Sequence, residues 1–188
     1  MRRVFILLLA LGAPLSVGLI SGPGRADSPL PPPARQTIWS NNRKFFAVTD
    51  PKDWTTTIYR ATPDGKEGSK SWAMYGYLHR AWLADDGEHL AADHHGRGGL
   101  VPLDYDKGQV VLYFLRRGEL INKVTLAQVQ VIGGLAKLPR TASHYAWGHF
   151  VGFDQDGYFV IETVENRAIR FDVSKGEPLI QAPSKRHP

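Results

Sequence analysis

Cysteine is absent from this chain of 188 residues. Disulfides, thiol nucleophiles, zinc–thiolate sites and iron–sulfur clusters are therefore excluded. A lipid-anchored lipoprotein is excluded for the same reason, because no cysteine is present to carry the lipid. The folded part must be stabilised by packing alone, which is sufficient for a domain of this size.

Signatures of hydrolases and nucleotide-binding enzymes are lacking as well. The sequence contains no G-x-S-x-G elbow, no H-E-x-x-H helix, no S-x-x-K motif and no Walker loop. Ser143 and His144 are adjacent, and in a strand their side chains would point to opposite faces, so we expect no nucleophile–base pair. Carboxylates at 85–86 and 154–156 are typical of turns. We therefore expect that the chain is not an enzyme.

Without residues 1–26, the chain has no strong excess of positive or negative charge. Residues 1–26 carry three arginines and no acid, and the remaining chain has 20 basic and 18 acidic residues, a net charge of +2. A nucleic-acid surface needs clustered Lys and Arg. The composition therefore excludes nucleic acid as a partner.

The N-terminus carries the features of a secretory signal peptide. Two arginines precede an unbroken apolar and small-residue stretch over 4–13, and small residues occupy positions −3 and −1 of a cut after Ala26. The alternative is a retained anchor, but 4–20 spans 17 residues and contains Pro14, whereas a membrane span needs about 20 apolar residues. We expect cleavage, a periplasmic or secreted location, and no stable membrane insertion afterwards.

Proline marks the boundaries of the folded part. The sequence SPLPPPA at 28–34 favours extended polyproline II and forbids a helix. The organisation that we predict is a signal peptide over 1–26, a Pro-rich linker over 27–36, a β-rich domain over 37–181 and a loose tail over 182–188.

Short β-prone runs separated by turn residues dominate the domain. Pairs such as Asp86-Gly87 and Asp156-Gly157 are strong hairpin signals, because glycine accepts the positive φ of the turn. One short helix is expected over 126–132, capped by Thr125 and ended by glycines 133 and 134. The fold class is therefore all-β, with short antiparallel strands in a propeller-like arc or a β-sandwich. The predicted strands are 37–40, 45–49, 55–60, 71–77, 80–84, 90–93, 110–115, 120–124, 145–153, 158–164 and 168–173.

Two patterns recur along the chain and alternate. The first, a polar turn followed by an apolar strand, occurs at 40–48, 84–92 and 154–161. The second, centred on a turn, occurs at 59–67, 113–121 and 171–179. One interpretation is three units of about 48 residues, the length of a β-propeller blade. The alternative is that the similarities are those that any hairpin-rich β protein shows by chance.

The turn motifs of the first pattern are Ser40-Asn41-Asn42, Ala84-Asp85-Asp86-Gly87 and Asp154-Gln155-Asp156-Gly157. They resemble the turns of exported bacterial β-propeller repeat proteins, whose blades carry a serine–(Pro)–Asp–Gly turn before an apolar strand. Propellers have four to eight blades, so three units would form an incomplete arc, a propeller-like sandwich or a piece that oligomerises. The resemblance implies a binding or scaffolding surface and transfers no catalytic residue.

A metal site is the main chemical hypothesis. In a strand, His89, Asp93 and His95 share a face, and two imidazoles with one carboxylate suit zinc, copper or nickel. A straight strand would place the two histidines about 20 Å apart, so the strand must end or bend near Asp93. The alternative is solvated loop histidines, since three glycines lie within 96–99.

Aromatic residues crowd the first half of the domain, and they would serve either as core or as a partner surface. They are Trp39, Trp54, Trp72, Tyr75, Tyr77 and Trp82. A second group, Tyr145, Trp147 and His149, would share one strand face, as core or as a sugar-stacking platform.

The function that these patterns favour is an exported, non-enzymatic β-domain acting as a binding or interaction module. Its partner would be an unknown protein or small ligand, with a homo-oligomer as a further option. The first alternative is a periplasmic metal-binding protein that uses the His/Asp cluster. A carbohydrate-active protein using Trp147 and Tyr145 is the second.

Overall fold

The computed structural model describes residues 32–62, 67–94, 96–106, 108–135 and 137–179. The predicted signal peptide and tail lie outside these residues. Within them the chain forms antiparallel strands and one short helix, which confirms the all-β prediction. The part of the chain that is described contains no helix long and apolar enough to cross a membrane.

In chain order the elements are β1 (Gln36–Trp39), β2 (Phe45–Asp50), β3 (Thr55–Ala61), β4 (Glu67–Tyr75), β5 (Ala81–Leu83), β6 (His89–Asp93), β7 (Leu100–Pro102), β8 (Val110–Arg116), β9 (Glu119–Thr125), α1 (Leu126–Gly133), β10 (His144–Ala146), β11 (Gly148–Phe153), β12 (Phe159–Thr163), β13 (Ala168–Asp172) and β14 (Glu177–Pro178).

Twelve of the strands form three four-stranded sheets, each an antiparallel meander. Sheet 1 has the order β1-β2-β3-β4, sheet 2 the order β5-β6-β8-β9, and sheet 3 the order β11-β12-β13-β14. The remaining strands, β7 and β10, pair with each other in a two-stranded sheet. Two segments therefore lie outside the four-stranded units. We call 94–109, between β6 and β8, the first insertion, and 126–147, between sheets 2 and 3, the second insertion.

The two recurring sequence patterns fall at the same places in each sheet. The first pattern lies at the turns β1–β2, β5–β6 and β11–β12, which join the first strand of each sheet to the second. The second pattern lies at the turns β3–β4, β8–β9 and β13–β14, which join the third strand to the fourth. The domain thus contains three copies of one four-stranded unit.

The first turn of sheet 1 contacts both of the other sheets. The backbone N–H of Asn42 donates to Asp85 Oδ1 at 2.7 Å, and its side-chain amide donates to the Asp85 carbonyl at 2.9 Å. The side-chain amide of Asn41 donates to the carbonyl of Phe153 at 2.9 Å. One turn of sheet 1 therefore holds together the corresponding parts of sheets 2 and 3.

Sheet 2 packs against an apolar cluster on each of its two faces. Neighbouring side chains of a strand point to opposite faces, so successive residues of β6 belong to different clusters. On β6, Leu90 and Ala92 belong to an apolar cluster with Ala47 and Ile58 of sheet 1. Ala91 between them belongs to the second and larger cluster, which includes residues of α1 and of sheet 3. Fully buried members of the larger cluster are Phe114, Leu126, Val129, Trp147, Phe159 and Phe171.

Helix α1 begins and ends as the sequence predicts. The Thr125 side chain accepts from the backbone of Gln128, and the Gln128 side chain accepts from the backbone of Thr125, which forms a capping box. Gly134 follows the helix with φ 67°, a left-handed conformation that glycine adopts without strain.

The predicted strand over 145–153 is wrong in one respect, because the chain changes sheets within it. β10 ends at Ala146 and β11 begins at Gly148, with Trp147 between them. The Trp147 N–H donates to the Gly99 carbonyl at 2.9 Å, and its ring is 1% exposed. A ring buried to this extent offers no stacking surface, so the hypothesis of a sugar platform on Trp147 is wrong.

Candidate functional site

The two insertions meet and form a groove on the surface of the domain. They are joined by the β7–β10 ladder, in which Tyr145 lies opposite Val101. Between this small sheet and α1 lies a cavity of about 790 Å³. Its apolar lining residues are Leu103, Tyr105, Val131, Leu135, Leu138 and Tyr145. We call this cavity the insertion groove.

Helix α1 contributes an apolar residue that its own amphipathic pattern leaves outside the core. Leu126 and Val129 are completely buried and hold the helix against the larger apolar cluster. Val131 lies two positions beyond Val129, about 200° around the helix axis. It is 82% exposed and lines the insertion groove. The helix therefore presents a valine to solvent where a polar residue is expected.

A tyrosine pair forms another part of the groove. The rings of Tyr105 and Tyr145 meet edge to face, with centroids 5.5 Å apart and an interplanar angle of 79°. One ring comes from the first insertion and the other from the second, and both pack against the larger apolar cluster. This wall of the groove is thus anchored in the core, and it combines apolar ring surface with two hydroxyl groups.

The groove also has polar and charged groups. Among the described residues that line it, Lys137 is the one with a charged side chain, and Gln130 is polar but uncharged. The guanidinium of Arg167 lies close to the lining, since a Cβ added to the lining residue Gly134 would be 2.8 Å from Arg167 Nη1. The groove therefore has a mixed polar and apolar lining, with one cationic side chain in it and another next to it.

The predicted metal ligands lie on and after β6. His89 is the first residue of this strand and Asp93 the last, while His95 lies outside the described residues. Four residues of a strand place His89 and Asp93 about 13 Å apart. His89 Nδ1 contacts Asp86 Oδ2 at 2.6 Å, and Asp93 Oδ2 accepts from the Gly98 N–H at 2.7 Å. Within the described ranges, no three His, Asp or Glu side chains form a cluster that could hold a metal ion. The metal site stays a prediction.

Asp86 contacts the His89 ring, whereas the sequence predicted for Asp86 only a place in a turn. Partial burial would raise the pKa of its carboxyl group, but hydrogen bonds from the backbone of Glu88, from the His89 ring and from the His89 backbone outweigh that effect. The pKa of Asp86 is therefore lowered from its ordinary value of 3.8. The folded state favours the charged carboxylate at the first turn of sheet 2.

Replacing Asp86 by asparagine is expected to destabilise the protein in a pH-dependent way. A lowered pKa stabilises the fold above pH 3.8, and this contribution is lost as pH falls through the pKa of the folded state. We expect a difference of about 1 kcal/mol at pH 6, modest because solvent screens a half-exposed group. Urea unfolding at pH 6 and at pH 2.5 measures it. An equal difference at both pH values would contradict the assignment.

Ser143 and His144 are in contact, contrary to the expectation from strand alternation. Ser143 lies in a bend before β10, so the alternation does not apply, and its Oγ lies 2.9 Å from His144 Nδ1. Arg97 Nη1 contacts His144 Nε2. The Ser143 hydroxyl and the His144 imidazole therefore lie within hydrogen-bond distance, and which of them donates depends on the ring tautomer.

The aromatic residues at the start of the domain divide between core and surface. Trp72 is buried, and its Nε1 donates to the Gly87 carbonyl at 2.8 Å. Trp54 is 44% exposed and Tyr75 is 81% exposed. The sequence prediction left both roles open, and the structure assigns different roles to different residues.

The described residues form an all-β protein with three four-stranded sheets and a groove between two insertions. In comparisons with known proteins, no protein-family model matches the sequence, and no curated protein is significantly similar to it. The candidate function is therefore argued from the geometry of the groove.

Proposed function

We propose that this protein is an exported, non-enzymatic binding module, and that the insertion groove is its ligand site. Export is proposed from the signal-peptide pattern of residues 1–26. The observation that carries the binding function is an open cavity of about 790 Å³ with a mixed polar and apolar lining, formed where the two insertions meet. In this proposal the three sheets form a propeller-like scaffold for the groove.

The position of the groove supports a role in recognition. The repeated sheets explain the core of the domain, but they do not explain why two segments leave the repeat and pair with each other. Binding residues concentrate on segments that a rigid scaffold positions. The cavity also has the size of small-molecule sites, which enclose roughly 300–1,000 Å³.

The exposed apolar side chains support the same role. Val131 is 82% exposed and Leu103 is 37% exposed, and both line the groove. A single exposed apolar residue needs no explanation, but several around one concave surface are typical of a ligand or partner site. An apolar ligand in the groove would remove both side chains from water.

Titration with N-phenyl-1-naphthylamine, a neutral apolar dye, tests this function. We expect saturable binding to one site, measured by the rise in dye fluorescence. Val131→Glu should weaken the binding about tenfold, because the apolar contact is lost and a charge would be desolvated. Since Val131 is 82% exposed, this substitution should leave thermal stability nearly unchanged.

The matched control is Val151→Glu on β11 of sheet 3. Val151 is also an exposed valine, at 56%, but it does not line the groove. This variant should bind the dye as the unmodified protein does. The proposal fails if the unmodified protein gives no saturable binding, or if both variants lose affinity equally.

A further inference from the structure

We propose that the ligand of the insertion groove is a medium-chain amphiphile with a single carboxylate, such as a fatty acid, whose head group pairs with Lys137 and Arg167. This inference rests on the proposed binding function and adds the chemical class of the ligand. It is carried by two features of the cavity: the apolar side chains in its mixed lining, and the cationic side chains in and next to that lining.

The lining favours a ligand that has an apolar part as well as a polar end. Four aliphatic side chains, those of Leu103, Val131, Leu135 and Leu138, line the cavity together with two tyrosine rings. Burying apolar surface in such a site contributes roughly 25 cal/mol per Å². A long alkyl chain can contact all of these side chains, whereas a small polar ligand would leave most of them in water.

The charged groups determine the polar end of the ligand. Among the described lining residues Lys137 is the one with a charged side chain, and the Arg167 guanidinium lies next to Gly134 at the end of α1. The C-terminal end of a helix carries about half a negative charge, which two cations outweigh. None of the described lining residues is a carboxylate. A ligand with one anionic group would therefore complement these two cations.

The nearest acidic residues in sequence do not cancel this charge within the groove. Asp104 and Asp106 flank Tyr105, but neither lines the cavity. Asp106 Oδ1 accepts the N–H of Gly108 at 2.8 Å. The anion of the ligand is thus expected near Lys137 and not at the Tyr105 wall.

Competition between two ligands of equal chain length tests the inference. Decanoate and 1-decanol are each titrated against bound N-phenyl-1-naphthylamine in low salt. Because the two chains are equally long, a difference in affinity reports on the head group. The unmodified protein should bind decanoate about threefold more tightly than 1-decanol, which is the contribution expected of a solvent-exposed ion pair. Lys137→Gln and Arg167→Gln should each reduce this preference, the double variant should abolish it, and added salt should weaken it. The measured quantity is the ratio of the two affinities in each variant, so a change that affects both ligands equally does not count as a loss of preference.

Lys123→Gln on β9 is the matched control, since Lys123 is an exposed lysine outside the groove. It should retain the full preference for decanoate. If the dye binds but decanoate and 1-decanol compete equally in the unmodified protein, the inference is overturned and the binding function stands. Equal effects of Lys123→Gln and Lys137→Gln would also overturn it. If the dye does not bind at all, the proposed function fails and the inference fails with it.

Discussion

Replacing Phe159 by alanine is expected to lower the free energy of unfolding by about 3–5 kcal/mol. Phe159 is completely buried on β12, and its ring centroid lies 5.2 Å from that of Trp82 and 5.8 Å from that of Phe114 on sheet 2. On its own sheet it contacts Phe153 at 5.4 Å. Truncation would leave a cavity at the centre of the contact between sheets 2 and 3. Chemical denaturation followed by tryptophan fluorescence measures the change.

Tyr75→Ala is the control for this prediction. It also removes a large aromatic ring, but Tyr75 is 81% exposed at the end of β4. Its stability should stay within about 0.5 kcal/mol of the unmodified protein. A small effect at Phe159, comparable to that at Tyr75, would mean that sheets 2 and 3 do not share an aromatic core.

Replacing Gly99 by alanine should destabilise the protein by about 3 kcal/mol or more, up to failure to fold. Gly99 has φ 101°, which L residues rarely adopt, and a Cβ at this position would overlap the carbonyl oxygen of Gly148. A backbone shift that moved residue 99 away from Gly148 would break the hydrogen bond that the Gly99 carbonyl accepts from the Trp147 N–H. Circular dichroism and thermal unfolding measure the loss.

Gly157→Ala separates the two causes of this loss. Gly157 has a similar positive φ of 83°, but nothing lies within 4 Å of a Cβ placed there. It should cost only the backbone strain, about 1–2 kcal/mol. If Gly157→Ala is as damaging as Gly99→Ala, the close approach of the first insertion to sheet 3 contributes nothing.

Local rules explain why the repeated unit can be predicted from the sequence. The turn at Asp86-Gly87 needs a residue with positive φ, and Gly87 has φ 71°. The capping box at Thr125 and Gln128 likewise involves residues three positions apart. Signals of this kind are visible in a few consecutive residues, so they locate strands, turns and the helix without knowledge of the tertiary structure.

The groove depends on contacts that no local signal specifies. β7 pairs with β10, whose sequence lies more than 40 residues away, and β7 was not predicted as a strand. The short strand β14 was missed as well. Trp147 enters the core between two strands that belong to different sheets, so the alternation on which its role was predicted ends at that residue. Pairing between residues far apart in the sequence therefore determines the structure of the groove and the burial of Trp147, which local sequence patterns do not predict.

One wall of the groove leaves a weak trace in the sequence. The buried stripe of α1 includes Leu126 and Val129, and Val131 lies off this stripe. Because a single exposed apolar residue needs no explanation, this position alone does not predict a site. The tyrosine wall and Lys137 are not predicted by it either.

The metal prediction depends on different residues and stays open to its own test. His89 and Asp93 occupy opposite ends of β6, and each already contacts a neighbouring group. Because His95 lies outside the described residues, the predicted ligand set is incomplete in the structure. Nothing in the insertion groove depends on this cluster.

The measurement that tests the central claim most directly is chemical-shift mapping of the ¹⁵N-labelled protein during titration with decanoate. The claim is that ligand binds between α1 and the β7–β10 sheet. It predicts saturable shifts of backbone amides around the groove, foremost those of Ala127, Gln130, Gly134 and Lys137. Shifts confined to sheet 1, or no saturable shifts at any amide, would contradict it.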